Sequence, residues 1–232
     1  MFRKLNALLW LRLQVIISNS TLLATLLLPF GITILQNEFL NKNGELSMFL
    51  LSTSLTMVLS MGSGYMVSIM IAEDKEKRNL KSLILSGVTA KEYTLSMMAL
   101  PLLVMLLSMV FLPLYLKVDL TNYLLAYSLY LILATISMIF LNIFIGAVSD
   151  TQSKAQVYSI FPMLIFSFLP VLAIQNATAQ KLLDYSFIGP LVSLLKAGGG
   201  ELSLRSLGLL LAWILLLGLA SLFVLKNSYK AR

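Results

Sequence analysis

Apolar residues fill six long stretches of this chain without a single charge, and the polar residues gather in the gaps between them. The stretches run roughly Ser18–Leu35, Met48–Ala72, Leu95–Leu116, Tyr123–Val148, Val157–Ile174 and Leu207–Leu225. Each is close to the ~20 residues that cross the hydrocarbon of a bilayer. Helix is the form such a stretch takes, because it satisfies every backbone amide within its own segment. The pattern therefore predicts an all-α integral membrane protein, one domain over residues 1–232, with six transmembrane helices. Pro29, Pro101, Pro113, Pro162 and Pro170 lie in or at the ends of these stretches, where kinks are expected. Gly62, Gly64 and Gly146 are places where a second helix can approach closely.

Ahead of the first span, residues 1–17 alternate differently. Leu5, Leu8, Leu9 and Ile16 fall near one helical face, with Arg3, Lys4, Asn6 and Gln14 largely on the other. That suits a basic amphipathic helix lying in the membrane interface, with Trp10 at headgroup depth. A plain extension of the first span is the alternative. Between the fifth and sixth spans, residues 175–206 are too long for a turn and too apolar for a solvated loop. They read as two short apolar pieces broken at Gly189-Pro190 and ended by Gly198-Gly199-Gly200, either re-entrant or interfacial helices.

One polar gap differs from the rest. Nine of the 21 residues from Glu73 to Tyr93 are charged, which places the segment in water between the second and third spans. Leu80, Leu83, Ile84 and Val88 form a stripe at helical spacing, with Asp74, Lys77, Lys81 and Ser82 among the polar positions. Gly87 suits the position that ends a helix. Thr89-Ala90-Lys91-Glu92 then reads as a capping box opening the third span, with Val88 and Tyr93 spaced as a hydrophobic staple. The stripe fits a docking helix and a membrane-surface helix alike.

Composition agrees with the pattern: 59% of residues are hydrophobic and 12% charged, against about 25% charged in soluble domains. The net charge is +7, and its placement is topological. Twelve basic residues lie in the segments on the side of the termini and five on the other, while the ten acidic residues divide equally. The positive-inside rule makes both termini, residues 73–92 and the 149–156 loop cytoplasmic. Basic charge spread over four short segments does not make a nucleic-acid surface. The chain has no cysteine and no histidine, which excludes thiolate chemistry, histidine-based membrane proteases and histidine metal sites. No Walker A sequence is present, so ATP phosphates are not held by a loop of that kind. The spans offer hydroxyls and amides, not the intramembrane acids of ion-coupled transporters.

The stretch EDKEKRNLKSLILSGVTAKEYTLSMM resembles the cytoplasmic loop of type-2 ABC exporter permeases. Glu76, Arg78, Leu80, Leu83, Ile84, Ser86, Val88, Thr89, Glu92 and Tyr93 match the usual pattern, while Asn79, Gly87 and Met97 depart from it. The order of the whole chain is similar too: interfacial helix, six spans, the polar SDTQSKAQ loop, and short external helices before the last span. The resemblance implies the transmembrane subunit of an ATP-driven exporter in a bacterial plasma membrane, itself no enzyme and holding no cofactor. ATP and Mg would sit on a partner ATPase present in two copies, beside a second permease, identical or different, and membrane lipid. It also implies that Glu73, Asp74, Glu76, Lys77, Arg78, Leu80, Lys81, Leu83, Ile84 and Ser86 contact the ATPase. The compact form resembles small exporters of amphipathic peptides such as toxins, modulins or bacteriocins. A substrate-binding subunit for uptake and a non-transporting immunity or scaffold protein are the rival readings.

Overall fold

The computed structural model describes residues 2–230, and these are helical throughout with short connections and no strand. Helix α1 (Phe2–Ser18) is separated from α2 (Ser20–Leu40) by Asn19 alone. Asn19 takes an extended backbone, and its side-chain oxygen accepts from Thr21 N and Leu22 N. That cap starts α2 as a new helix, so α1 is a distinct element and not an extension of the first span.

The second span is one continuous helical rod of three parts: α3 (Ser47–Met57), a π segment (Val58–Tyr65) and α4 (Met66–Glu76). Its charged end corrects an expectation. The span was expected to end near Ala72, yet the helix runs on through Glu73, Asp74, Lys75 and Glu76. Beyond it come α5 (Asn79–Leu85), α6 (Ala90–Tyr115), α7 (Leu124–Val148), α8 (Gln152–Leu172), the short pair α9 (Ala177–Tyr185) and α10 (Gly189–Lys196), and α11 (Leu204–Lys230). Six of the described helical stretches are long and apolar enough to cross a membrane.

Every residue from Leu50 to Ala72 except Met61 is buried, so the second span is the axis around which the others stand. Lipid is as apolar as leucine and gives helices no hydrophobic reason to associate, so close approach and polar bonds do that work. Both are present. Gly146 of α7 lies against the Ser68 backbone of this rod, and Gly64 of the rod makes room for the Asn142 and Met138 side chains of α7. Hydroxyls along the rod reach three other helices. Thr33 Oγ1 of α2 donates to Ser54 Oγ (2.8 Å), and Ser63 Oγ donates to the Pro101 carbonyl of α6 (3.3 Å). Ser60 and Ser68 each pair with a serine of α8, Ser167 and Ser159 respectively, both at 2.6 Å.

The π segment explains that last pairing. Eight residues of α-helix would leave Ser60 and Ser68 about 80° apart around the axis. The wider π turn, with its i→i+5 bonds, slows the rotation and brings both hydroxyls toward α8.

The segment between the fifth and sixth spans differs slightly from its expected form. The break between α9 and α10 falls at Ser186–Ile188, and Gly189-Pro190 opens the second helix instead of interrupting it. Proline suits that position because the first turn of a helix has no use for its missing amide hydrogen. Helix α10 is buried along Gly189–Val192 and at Leu194 and Leu195, tucked against α3 and α7.

Candidate functional site

The charged side chains that are buried among the described residues are Arg12, Asp74, Lys75 and Glu92, and all belong to one end of the bundle. The last turn of α4 supplies the centre of this group. Four consecutive residues, Glu73-Asp74-Lys75-Glu76, point to different partners because successive helical positions face different directions.

Asp74 is buried and turned toward α1 and α6. Arg12 Nη2 of α1 lies 2.7 Å from Asp74 Oδ2, and Tyr93 Oη of α6 donates to the same oxygen at 3.0 Å. The Arg12 guanidinium also stands over the Tyr93 ring, 5.3 Å from its centroid, a favourable position for a cation against an aromatic face. The Nε and Nη1 groups of Arg12 find no hydrogen-bond partner, so the buried guanidinium depends on Asp74 and the ring. Lys75 Nζ donates to the carbonyls of Ala147 and Ser149 at the end of α7, at 2.5 and 2.7 Å. Glu76 Oε2 accepts from Gln152 N, at the start of α8, at 2.7 Å. Glu73 Oε1 accepts from Lys77 Nζ at 2.6 Å, and that hydrogen bond and charge hold the Lys77 ammonium above the usual lysine range.

From here the chain turns sharply. Arg78 adopts a left-handed conformation (φ 57°), and α5 starts at the next residue. At the far end of α5, Gly87 is also left-handed (φ 74°), and Val88 N bonds back to the Leu83 carbonyl at 3.0 Å. This is the glycine-terminated helix end expected from the sequence. The Gly87 carbonyl accepts from Lys4 Nζ of α1 at 2.8 Å. Then Thr89 caps α6: Glu92 N donates to Thr89 Oγ1, and Thr89 N donates back to Glu92 Oε2. The capping box is present as the sequence indicated. Helix α1 thus holds the chain on both sides of α5, through Arg12 at Asp74 in the last turn of α4 and through Lys4 at Gly87.

The ten residues singled out in the sequence fall into distinct groups. Lys77, Arg78, Lys81 and Ser86 are exposed. Glu76 is exposed but engaged at α8, and Glu73 is partly buried and engaged with Lys77. Leu83 is partly buried and, with Val88, packs on the apolar cluster formed by the rod, α6 and α7. The side chains of Leu80 and Ile84 lie outside those described. Asp74 corrects the view that the whole charged segment lies in water, since Arg12 and Tyr93 enclose it.

Arg12 and Lys75 are the residues that sequence reasoning passed over. The signal for Arg12 was available. It lies four residues from both Leu8 and Ile16, and all three are buried on one face of α1. A charge in a buried stripe calls for an acid elsewhere in the chain.

A family model described as ABC-2 family transporter protein matches residues 5–223. The chain belongs to this family and is a transmembrane subunit of an ABC transporter. Such subunits are normally non-catalytic and typically work with an ATPase partner. No curated protein and no solved structure matches the chain.

Proposed function

We propose that this protein is the permease of an ATP-driven exporter and that α5 is the helix on which a separate ATPase docks. The observation that carries the reading is the bracing of α5. A seven-residue helix has too few internal bonds to hold itself in water, yet here Arg12 of α1 holds the end of α4 just before it, Lys4 of α1 holds the turn just after it, and its Leu83 packs on the bundle. That construction leaves Lys77, Arg78, Lys81 and Ser86 facing outward on a firm base. Leu80 and Ile84 complete the docking set proposed from the sequence. Asp74 and Leu83 serve it from beneath, as supports.

In this reading the braced end faces the bacterial cytoplasm, with both termini on that side, and two permeases, identical or different, stand on two ATPases. ATP-driven closure of the ATPases moves α5, and the capped α6 carries the motion into the membrane. Amphipathic peptides are the proposed cargo. Support comes from the membrane-spanning interior, where hydroxyls and apolar groups prevail and the buried charges stay at one end. Binding an ion would instead call for ionisable or unwound groups at mid-membrane.

The test is a pull-down. With Arg78→Glu and Lys81→Glu together, copurification of an ATPase with the tagged chain is expected to fall at least about tenfold, corresponding to about 1.4 kcal/mol of lost contact energy. The thermal midpoint of the permease itself should stay where it was, because both side chains are exposed. Retention of the ATPase at the unaltered level would overturn docking through α5.

A further inference from the structure

Lys75 and Glu76 are adjacent, opposite in charge, and attached to the two ends of a single connection. Helix α7 ends at Val148 and α8 begins at Gln152. The end of a helix leaves carbonyls without partners and carries partial negative charge, and the start of a helix leaves amides without partners and carries partial positive charge. Lys75 places its ammonium on the carbonyls of Ala147 and Ser149. Glu76 places its carboxylate on the amide of Gln152, while Thr151 Oγ1 accepts from Lys154 N in the same turn. Each charge meets the pole of opposite sign. Lys75 is buried, so solvent does little to weaken its contact.

We propose that Lys75 and Glu76 are positioning residues that staple the α7–α8 connection to the base of α5, so that these parts move as one body. Two residues, Lys77 and Arg78, separate Glu76 from α5, and their backbone amides donate hydrogen bonds back to the carbonyls of Glu73 and Lys75 respectively. Little slack remains between the exposed face of α5 and the start of α8. On the docking interpretation above, a displacement of α5 then reaches the fifth span directly through the staple as well as through α6. Helix α8 is suited to respond. Most of its surface is exposed, and its buried hydroxyls Ser159 and Ser167 meet the central rod through two serine pairs. The motion expected is a slide or tilt of α8 along the rod while its first turn stays fixed to α5.

The staple can be read on the permease alone, which separates its failure from failure of the docking interpretation. The chain has no cysteine, so spin labels at Ser82→Cys on α5 and Ser153→Cys on α8, both exposed positions, report one distance. In nanodiscs the otherwise unaltered chain should give a single narrow distance distribution. Lys75→Met with Glu76→Gln should lose that single peak, and Lys75→Glu with Glu76→Lys should lose it further because each charge then faces a pole of its own sign. Lys75→Arg with Glu76→Asp should restore it. If the double replacement does not fold, Glu76→Gln alone, at an exposed position, gives the same reading. A distribution that stays narrow when both charges are neutralised, or that is already broad in the unaltered chain, would overturn the proposal.

Discussion

Replacing Arg12 by methionine is expected to cost the protein about 3–5 kcal/mol, the usual penalty for breaking a buried ion pair and leaving one charge behind. Asp74 would then keep Tyr93 Oη as a donor but lose the charge that offsets its burial. Asp74→Leu should be at least as harmful, because the Arg12 guanidinium already has no hydrogen-bond partner at Nε and Nη1. The cost lies in the imbalance, not in the absence of a salt bridge. Replacing all three polar partners together, as Arg12→Met, Asp74→Leu and Tyr93→Phe, should therefore recover most of the loss. Thermal unfolding in detergent decides between these outcomes. Equal midpoints for Arg12→Met and the unaltered chain would show that the pair contributes nothing. The same series bears on the proposed function, since α1 holds the end of α4 ahead of α5 through this pair and the turn after α5 through Lys4. A chain stabilised by the triple replacement but unable to retain an ATPase would show that the pair orients α5.

Gly146→Val should be the second severe change, costing several kcal/mol by overpacking. A Cβ at Gly146 would stand 2.8 Å from the Ser68 backbone oxygen and 2.9 Å from Ile71 Cβ. Neither can swing aside, so α7 must separate from the central rod. Overpacking of a well-filled core costs about 1–3 kcal/mol where side chains can adjust, and more where backbone must move. Gly64→Ala provides the comparison. Its Cβ would come as close, at 2.7 to 2.9 Å, but to the side-chain atoms of Asn142 and Met138, which have rotamers to change. Unfolding midpoints should thus fall clearly further for Gly146→Ala than for Gly64→Ala. The reverse order would mean that α7 and the rod are not held at backbone contact.

Much of this arrangement was legible in the residues. The six spans follow from length and polarity, because a continuous apolar stretch of about 20 residues crosses hydrocarbon as a helix that satisfies its own backbone. The Gly87 stop and the Thr89–Glu92 box were readable because helix ends obey local rules, and local rules need no partner. The span ends were less so. Glu73 to Glu76 look like loop when charge is taken as a sign of water, yet they form the last turn of a helix whose charges are spent on Arg12, Lys77, the end of α7 and the start of α8. Those partners lie up to 76 residues away in sequence, and a hydropathy pattern carries no record of pairing. The π segment was equally silent. Gly62 and Gly64 indicated close packing, but the choice of i→i+5 bonds depends on where Ser60 and Ser68 find partners. The apolar stripe on α5 was visible as a stripe, while its direction was not. Leu83 turns to the bundle, so the exposed polar residues become the better candidates for contact.

Docking through a braced α5 is tested most directly by cross-linking. Single cysteines at Arg78, Lys81 and Ser86, introduced into a chain that has none of its own, place a short cross-linker on the exposed side of α5 in membranes containing the cognate ATPase. Covalent capture of the ATPase is expected at all three positions, and none is expected from a cysteine at exposed Leu202 near the opposite end of the bundle. Capture of the ATPase from other surfaces with none from these three positions would contradict it.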